Sequence, residues 1–226
     1  TATFMLMGDT CTRGCRFCSV KSSNNPGKLD AEEPKKLAET IENMALKYVV
    51  LTTVDRDDLP DQGASHIARC IRSTQRACPE MLIEMLMPDF QGNTELVQQV
   101  INARPAVLAH NLETVRSLTL KVRDSRASYD QSLDVLRYIK QKSPGVYTKS
   151  SLMLGVGESR TETLQAMKDL RDVGVDFLTI GQYLQPSKKH LKVEKFVPPE
   201  EFDELILLGD KMGFEYVASG PLVRSS

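Results

Sequence analysis

Three of the five cysteines fall within eight residues, Cys11-Thr12-Arg13-Gly14-Cys15-Arg16-Phe17-Cys18. A thiolate is a soft ligand that selects zinc, copper(I) or iron–sulfur clusters, so three at this density predict a metal site. Three ligands leave a tetrahedral ion, or one iron of a four-iron cluster, short of a protein partner. Structural zinc sites are usually closed by four protein ligands, whereas catalysis needs an open position. Gly14 keeps the loop supple, and Arg13 and Arg16 are placed to offset the thiolate charge. Cys70 reads as a small core residue in the middle of a helix, and Cys78 sits where that helix ends.

Such a loop has to be held by regular elements. Phe4 to Met7 is a short, continuous apolar run, the pattern of a strand buried on both faces, and the cysteines follow it directly. Further strand patterns run over 48–54, 81–87, 107–110, 147–154, 177–181 and 215–218. Helical periodicity lies between them over 32–46, 62–77, 94–102, 128–141, 162–173 and 199–211. Asp30 is the expected cap of the first helix, with Glu33 three residues on. Ser22 to Lys28 and Gln185 to Pro199 are the longest loops.

About six alternations of strand and helix predict parallel strands with crossover helices. That is too few for a closed eight-fold barrel, so the expected fold is α/β, an incomplete (β/α)6 barrel, with residues 1–226 as one domain. Polar residues recur just after each strand: Asp9 and the cysteines, then Asp55-Arg56-Asp57-Asp58, Asp89, His110-Asn111-Glu113, Glu158, and Gln182-Tyr183. In a parallel barrel these positions converge on one face, where active sites are built. Gly155-Val156-Gly157-Glu158 lacks the full glycine fingerprint of a phosphate loop and reads as a tight turn.

Composition excludes several classes. Lys+Arg 29 against Asp+Glu 30 leaves a net charge of −1, which argues against nucleic acid as a partner. No apolar run approaches a membrane span, and clustered cysteines fit a reducing compartment better than a disulfide scaffold. Lys188, Lys189, Lys192 and Lys195 form a basic run, suited either to solvent or to an acidic protein partner. The sequence opens inside a strand pattern, TATFMLMG, which predicts a longer parent chain.

The C-x3-C-x2-C spacing with an aromatic before the last cysteine resembles the radical S-adenosylmethionine (SAM) enzymes. The wider string MLMGDTCTRGCRFCSVK is similar to the lipoyl synthase family, as are LTTVDRDDL, AHNLETV, VRDSRASYDQSL, LTIGQYLQPSKKHLKV and ASGPLVRSS. The resemblance runs from Thr1 to Ser226. It implies a [4Fe-4S] cluster on Cys11, Cys15 and Cys18, with SAM chelated to its open iron. It also implies radical insertion of sulfur at C6 and C8 of a protein-bound octanoyl-lysine. SAM carries a zwitterionic head, a sulfonium and a ribose. Asn111 and Glu113 are the candidates for the ribose, Phe17 for the adenine, and Asp55, Arg56 and Lys149 for the charged head or a substrate carbonyl.

The family holds a second, auxiliary [4Fe-4S] cluster through three N-terminal cysteines and a serine, which corresponds to Ser226. No cysteine triplet precedes Cys11 in these residues. The implied partners are an octanoylated lipoyl-carrier protein and an electron donor such as a ferredoxin or flavodoxin. The implied compartment is the mitochondrial matrix or the bacterial cytoplasm. Two alternatives stand beside this reading: another radical SAM enzyme that abstracts hydrogen without inserting sulfur, and a structural zinc module.

Overall fold

Seven short apolar runs form one parallel sheet. They are β1 (Ala2–Leu6), β4 (Tyr48–Thr53), β5 (Leu82–Leu86), β6 (Val107–Ala109), β7 (Tyr147–Leu154), β8 (Phe177–Gln182) and β9 (Tyr216–Gly220), hydrogen-bonded in that order. The computed structural model describes residues 1–224. Registers such as Phe4 opposite Leu51 and Leu178 opposite Val217 keep apolar residues level across the sheet. β1 and β9 each pair with one neighbour, so among the described residues the sheet has two edges. A two-residue parallel bridge, β2 (Thr10–Cys11) with β3 (Lys21–Ser22), lies apart from it.

Parallel strands need crossovers, and helices supply them. These are α1 (Glu33–Asn43), α2 (Ala64–Ala77), α3 (Thr94–Ile101), the single turn α4 (Thr119–Val122), α5 (Tyr129–Lys142), α6 (Arg160–Asp172) and α7 (Pro199–Met212). Each long helix buries one stripe against the sheet. In α2 it is Ile67, Cys70, Ile71 and Thr74, the three-and-four spacing of one helical face. Capping sets several starts. Ser159 and Glu162 form a reciprocal capping box on α6, and Asn93 Oδ1 accepts the Glu95 and Leu96 N–H groups on α3.

The start of α1 departs from expectation. Glu32 is the capping residue and gives no side-chain bond. Asp30 instead takes the Glu32 N–H at 2.9 Å and pairs with Lys36 at 2.7 Å. Glu33 is thereby left to turn inward. Its carboxylate accepts the Met7 N–H at 3.0 Å and meets His66 Nε2 at 2.5 Å, which fixes the exit of β1 just before the cysteines. Met7 sits there at φ +67° and Gly8 at +91°. Gly63 also holds a left-handed φ of +84°, where a side chain is strained and its Cβ would press on Met7 Sδ. Among the described residues no helix is long and apolar enough to cross a membrane.

Candidate active site

The strand C-termini open into one cavity of about 530 Å³. Its walls include Cys11, Cys15 and Cys18, together with Phe17, Asp55, Asn111 and Glu113. The structure therefore brings together seven of the residues singled out from the sequence. His110 and Arg123 line it as well.

Contacts from four post-strand segments hold the cysteine loop. After β4, Asp55 accepts the Thr12 N–H through its carbonyl at 2.9 Å and donates its own N–H to Cys11 Sγ at 3.3 Å. After β5, Asp89 takes two hydrogen bonds from Arg13, at 2.9 and 2.8 Å. After β6, Asp124 Oδ2 accepts the Gly14 N–H at 2.8 Å, and the Asp124 N–H points at Cys15 Sγ at 3.3 Å. After β8, His190 Nε2 meets the Cys18 carbonyl at 3.0 Å and the Leu191 N–H donates to the Arg16 carbonyl at 3.0 Å. Of these partners, Asp124 and His190 could not be singled out beforehand; their only trace was their place inside the quoted family strings.

Arg13 and Arg16 do not play the part that composition suggests. The Arg13 guanidinium is buried and faces carboxylates instead of thiolates. It bonds Asp57 at 3.0 and 2.9 Å as well as Asp89, and stands 3.4 Å from Asp55. Arg16 is exposed and reaches the Lys121 carbonyl.

Burial pushes the Cys11 thiol up to about 11, with Asp55 adding to the effect, and Cys15 up to about 12. Cys18 rises for the same reason. Binding as thiolates therefore calls for a strong local positive charge, which a metal centre supplies. The donor set fits an iron–sulfur cluster: three soft sulfurs, each met by a backbone N–H group (Arg13 and Asp55 on Cys11, Asp124 on Cys15, Val20 on Cys18), and room beside them. A single zinc ion fits less well. Its thiolates can stand no more than about 4.6 Å apart, twice a Zn–S bond of about 2.3 Å. Among the described residues the trio whose ligand atoms all approach within 4.8 Å lies elsewhere, at Glu33, His66 and Cys70. That trio is not arranged for a metal either. Arg69 donates to His66 Nδ1 at 3.2 Å, so Nε2 carries the proton toward Glu33. A metal-bound imidazole needs the reverse, an acceptor facing its second N–H.

Charge is arranged unevenly round the cavity. Burial raises Asp55 to about 6 against the pull of Arg13, with Asp89 and Asp57 adding to the rise. Its Oδ2 accepts the Cys11 S–H at 3.6 Å, while the buried Oδ1 makes no hydrogen bond and is the oxygen that stands 3.4 Å from Arg13 Nε. Burial also raises Glu113, opposed by Arg123 and by a hydrogen bond from Asn111. Glu113 holds φ +70°, a left-handed conformation costly for a residue with a Cβ. Its backbone is clamped to β7 on both sides, donating to Ser151 and accepting from Met153. Burial lowers His110 to about 4, so it is neutral, bridging the Met87 carbonyl and the Ser132 hydroxyl. Arg123, held by Ser132 Oγ at 2.8 Å, is a buried guanidinium in the wall that sequence reasoning missed.

Two candidates lie outside the cavity wall. Arg56 is buried in a bidentate pair with Asp58 at 2.8 Å and bonds the Gly27 carbonyl, closing the loop after β3. Lys149 pairs with Glu84 at 2.6 Å, and Glu84 also accepts from the Tyr48 hydroxyl. Lys149 shares its face of β7 with the wall residues Ser151 and Met153, at least one pleat lower. Both cations are thus engaged with carboxylates. Ser226 lies outside the described residues. Gly155 and Gly157 form a turn with positive φ, in which the Gly155 and Val156 N–H groups donate to the chain's own Glu158 carboxylate.

Comparison with known proteins agrees with this architecture. Residues 5–170 match the Radical SAM superfamily. The chain is 56% identical over 226 residues to "Lipoyl synthase, mitochondrial" of Culex quinquefasciatus, covering all of this chain and 60% of that protein. It is 55% identical over 226 residues to "Lipoyl synthase" of Thermus thermophilus, covering 70% of that protein. The hydrogenase maturase HydG from Carboxydothermus hydrogenoformans superposes with a TM-score of 0.73 at 13% identity, over 96% of this chain and 52% of that one, which is a likeness of fold. The chain thus spans about three-fifths of the mosquito relative's length. With all of its residues aligned at better than half identity, and the cysteine loop of the superfamily at the head of its cavity, the chain belongs to the radical SAM superfamily and, within it, to the lipoyl synthase family.

Proposed function

We propose that the chain is the SAM-cleaving part of a lipoyl synthase, which inserts two sulfurs into an octanoyl group carried on a protein lysine. The observation that carries this is the meeting of three thiols with Asp55, Asn111, Glu113 and Arg123 in one cavity at the strand C-termini. Membership of the superfamily implies a [4Fe-4S] cluster and SAM. When bound, that pair supplies one-electron cleavage of the sulfonium to a 5′-deoxyadenosyl radical, able to take hydrogen from C6 and C8.

The chain's own residues would orient and enclose that chemistry. Cys11, Cys15 and Cys18 would hold the cluster through their thiolates. Asp55, whose Oδ1 makes no hydrogen bond and faces Arg13 Nε at 3.4 Å, takes an ammonium group, and Arg123 takes a carboxylate. Asn111 and Glu113 receive the ribose hydroxyls, with Glu113 already locked by its clamped backbone. Phe17, packed with Val122, Val156, Tyr183 and Leu191, offers a face to the adenine. Met5, Leu86, Met87 and Met153 supply an apolar surface for an alkyl chain. A radical needs such a dry, shaped enclosure to avoid side reactions. The auxiliary cluster, with Ser226 as one ligand, would supply the sulfur. An octanoylated carrier protein and a ferredoxin- or flavodoxin-like donor complete the reaction. The mitochondrial matrix and the bacterial cytoplasm both offer the reducing conditions it needs.

The test uses anaerobically reconstituted protein, SAM, a reductant and a peptide bearing perdeuterated octanoyl-lysine. Deuterium should appear in 5′-deoxyadenosine. When the segment with the family's auxiliary cysteines is joined, the peptide should gain two sulfurs by mass spectrometry. Deuterium-free 5′-deoxyadenosine would overturn the substrate assignment.

Replacing Glu113 with Gln keeps its shape and removes its charge. Calorimetry should show SAM affinity falling about tenfold, the scale of one charge-assisted hydrogen bond. Iron content should be unchanged. Equal affinity would return Glu113 to a purely architectural role.

A further inference from the structure

The surface over the cysteine loop differs in charge from the interior beneath it. Inside, Asp55, Asp57 and Asp89 crowd round Arg13. Outside, residues 186–195 carry four lysines and one glutamate in a chain whose net charge is −1. Lys195 pairs with Glu201, and Glu194 with Lys121. Lys188, Lys189 and Lys192 are exposed, and Arg16 of the cysteine loop is exposed beside them.

This basic segment has no helix or strand, yet it is firmly tied. The Tyr183 hydroxyl donates to the Leu191 carbonyl at 2.8 Å, and Gln185 Nε2 to the His190 carbonyl at 3.0 Å. Leu191 is buried with Tyr183 and Val156, against Phe17. Ser187 and His190 bond each other at 2.9 Å, and the ring's other nitrogen meets the Cys18 carbonyl. Three flexible cationic side chains therefore stand on a rigid base joined to the main chain of the cysteine loop. His190, partly exposed, links the protein surface to the backbone of a cluster ligand through one hydrogen bond.

We infer that the 186–195 segment is the docking surface for an acidic protein that carries one electron at a time, with His190 facing the carrier. This rests on the cluster part of the function proposed above. The balance is simple: the carrier is oxidised by one electron, the cluster is reduced by one, and docking makes or breaks no covalent bond. Opposite charge on the two faces steers encounter and sets orientation. An acyl-carrier partner fits this patch less well. It must thread its acyl-lysine into the cavity, whose wall includes Leu184, Val223 and Arg224 but none of residues 185–195.

The experiment compares the reconstituted protein with the triple variant Lys188→Glu/Lys189→Glu/Lys192→Glu. The probe is a reduced, acidic plant-type ferredoxin, and stopped-flow absorbance follows cluster reduction. The wild-type rate constant should fall steeply with added salt. The variant's should be at least about tenfold lower at low salt and nearly insensitive to it, since steering accounts for changes of that order or more. Reduction by a photoexcited deazaflavin, and 5′-deoxyadenosine formation driven by it, should be equal in both proteins. An unchanged ferredoxin rate would overturn the inference. So would an unchanged rate accompanied by weaker binding of an octanoylated carrier, which would assign the lysines to the substrate. A wild-type protein with no reducible cluster would overturn the function reading along with the docking surface, whereas normal reduction indifferent to these charges overturns the docking surface alone.

Discussion

Cys15→Ala is expected to strip the protein of its iron and abolish SAM cleavage while leaving the fold intact. Cys15 is only half-buried, and its Sγ makes one hydrogen bond, from the Asp124 N–H. Losing it costs the apoprotein little. The loop keeps Gly14 on Asp124 and Arg13 on Asp57 and Asp89. A cluster left with two thiolates has a second iron without a protein ligand. Iron analysis should fall well below the roughly four atoms of a full cluster. 5′-Deoxyadenosine should drop below detection, with far-UV circular dichroism unchanged. Cys70→Ala is the matched control. Cys70 is fully buried in α2 against the core, so this change should lower stability and leave iron content intact. Normal cleavage by the Cys15 variant, or lost iron in the Cys70 variant, would refute the ligand assignment.

Arg13→Leu should act in the opposite way, on the fold before the chemistry. Its guanidinium makes four hydrogen bonds to two carboxylates, and Asp89 is fully buried. Burial acts to raise Asp89, yet the Arg13 hydrogen bonds and charge hold it down at about 2. Removing one partner of a buried pair strands the other charge, at about 3–5 kcal/mol. For a chain of this length that lowers Tm by roughly 6–20 °C. Arg13→Lys should recover little, because an ammonium cannot span two carboxylates with paired bonds. The double variant Arg13→Leu/Asp89→Asn should recover part of the loss, since no net charge is then buried at Asp89. Calorimetric melting of the apoprotein settles it. A shift under about 2 °C for Arg13→Leu would show that water already screens the network.

Much of this was legible because strand period and chemistry coincide. Apolar runs of strand length, each followed by a polar cluster, placed Asp55, Asn111 and Glu113 on the face that bears the cysteines, and the cavity gathers them. Pairings across the sheet were not legible. Lys149 looked available for a ligand because nothing in its own neighbourhood reveals Glu84, 65 positions away on β5. Arg56 was misread although Asp58 stands two residues on, since a turn can equally point that pair outward. Arg13 shows the same limit. Its loop suggested thiolates as partners, but the fold brings in Asp89 from 76 residues away. Arg123 gave no periodic or spacing signal at all.

The separations that hid these partners also set an order of events during synthesis. The cysteines lie within the first eighteen residues, but their clamps arrive late. Asp57 follows Arg13 by 44 positions, Asp124 follows Cys15 by 109, and His190 follows Cys18 by 172. At about 5–20 residues per second, roughly 10–35 s pass between the making of Cys18 and of His190. Throughout that interval the thiols emerge without the segments that shape their loop. A scaffold delivering iron and sulfide to the nascent chain would meet three mobile cysteines, and one arriving after release would meet a finished cradle. The cradle round the three thiols is therefore complete only once the chain has been made through His190.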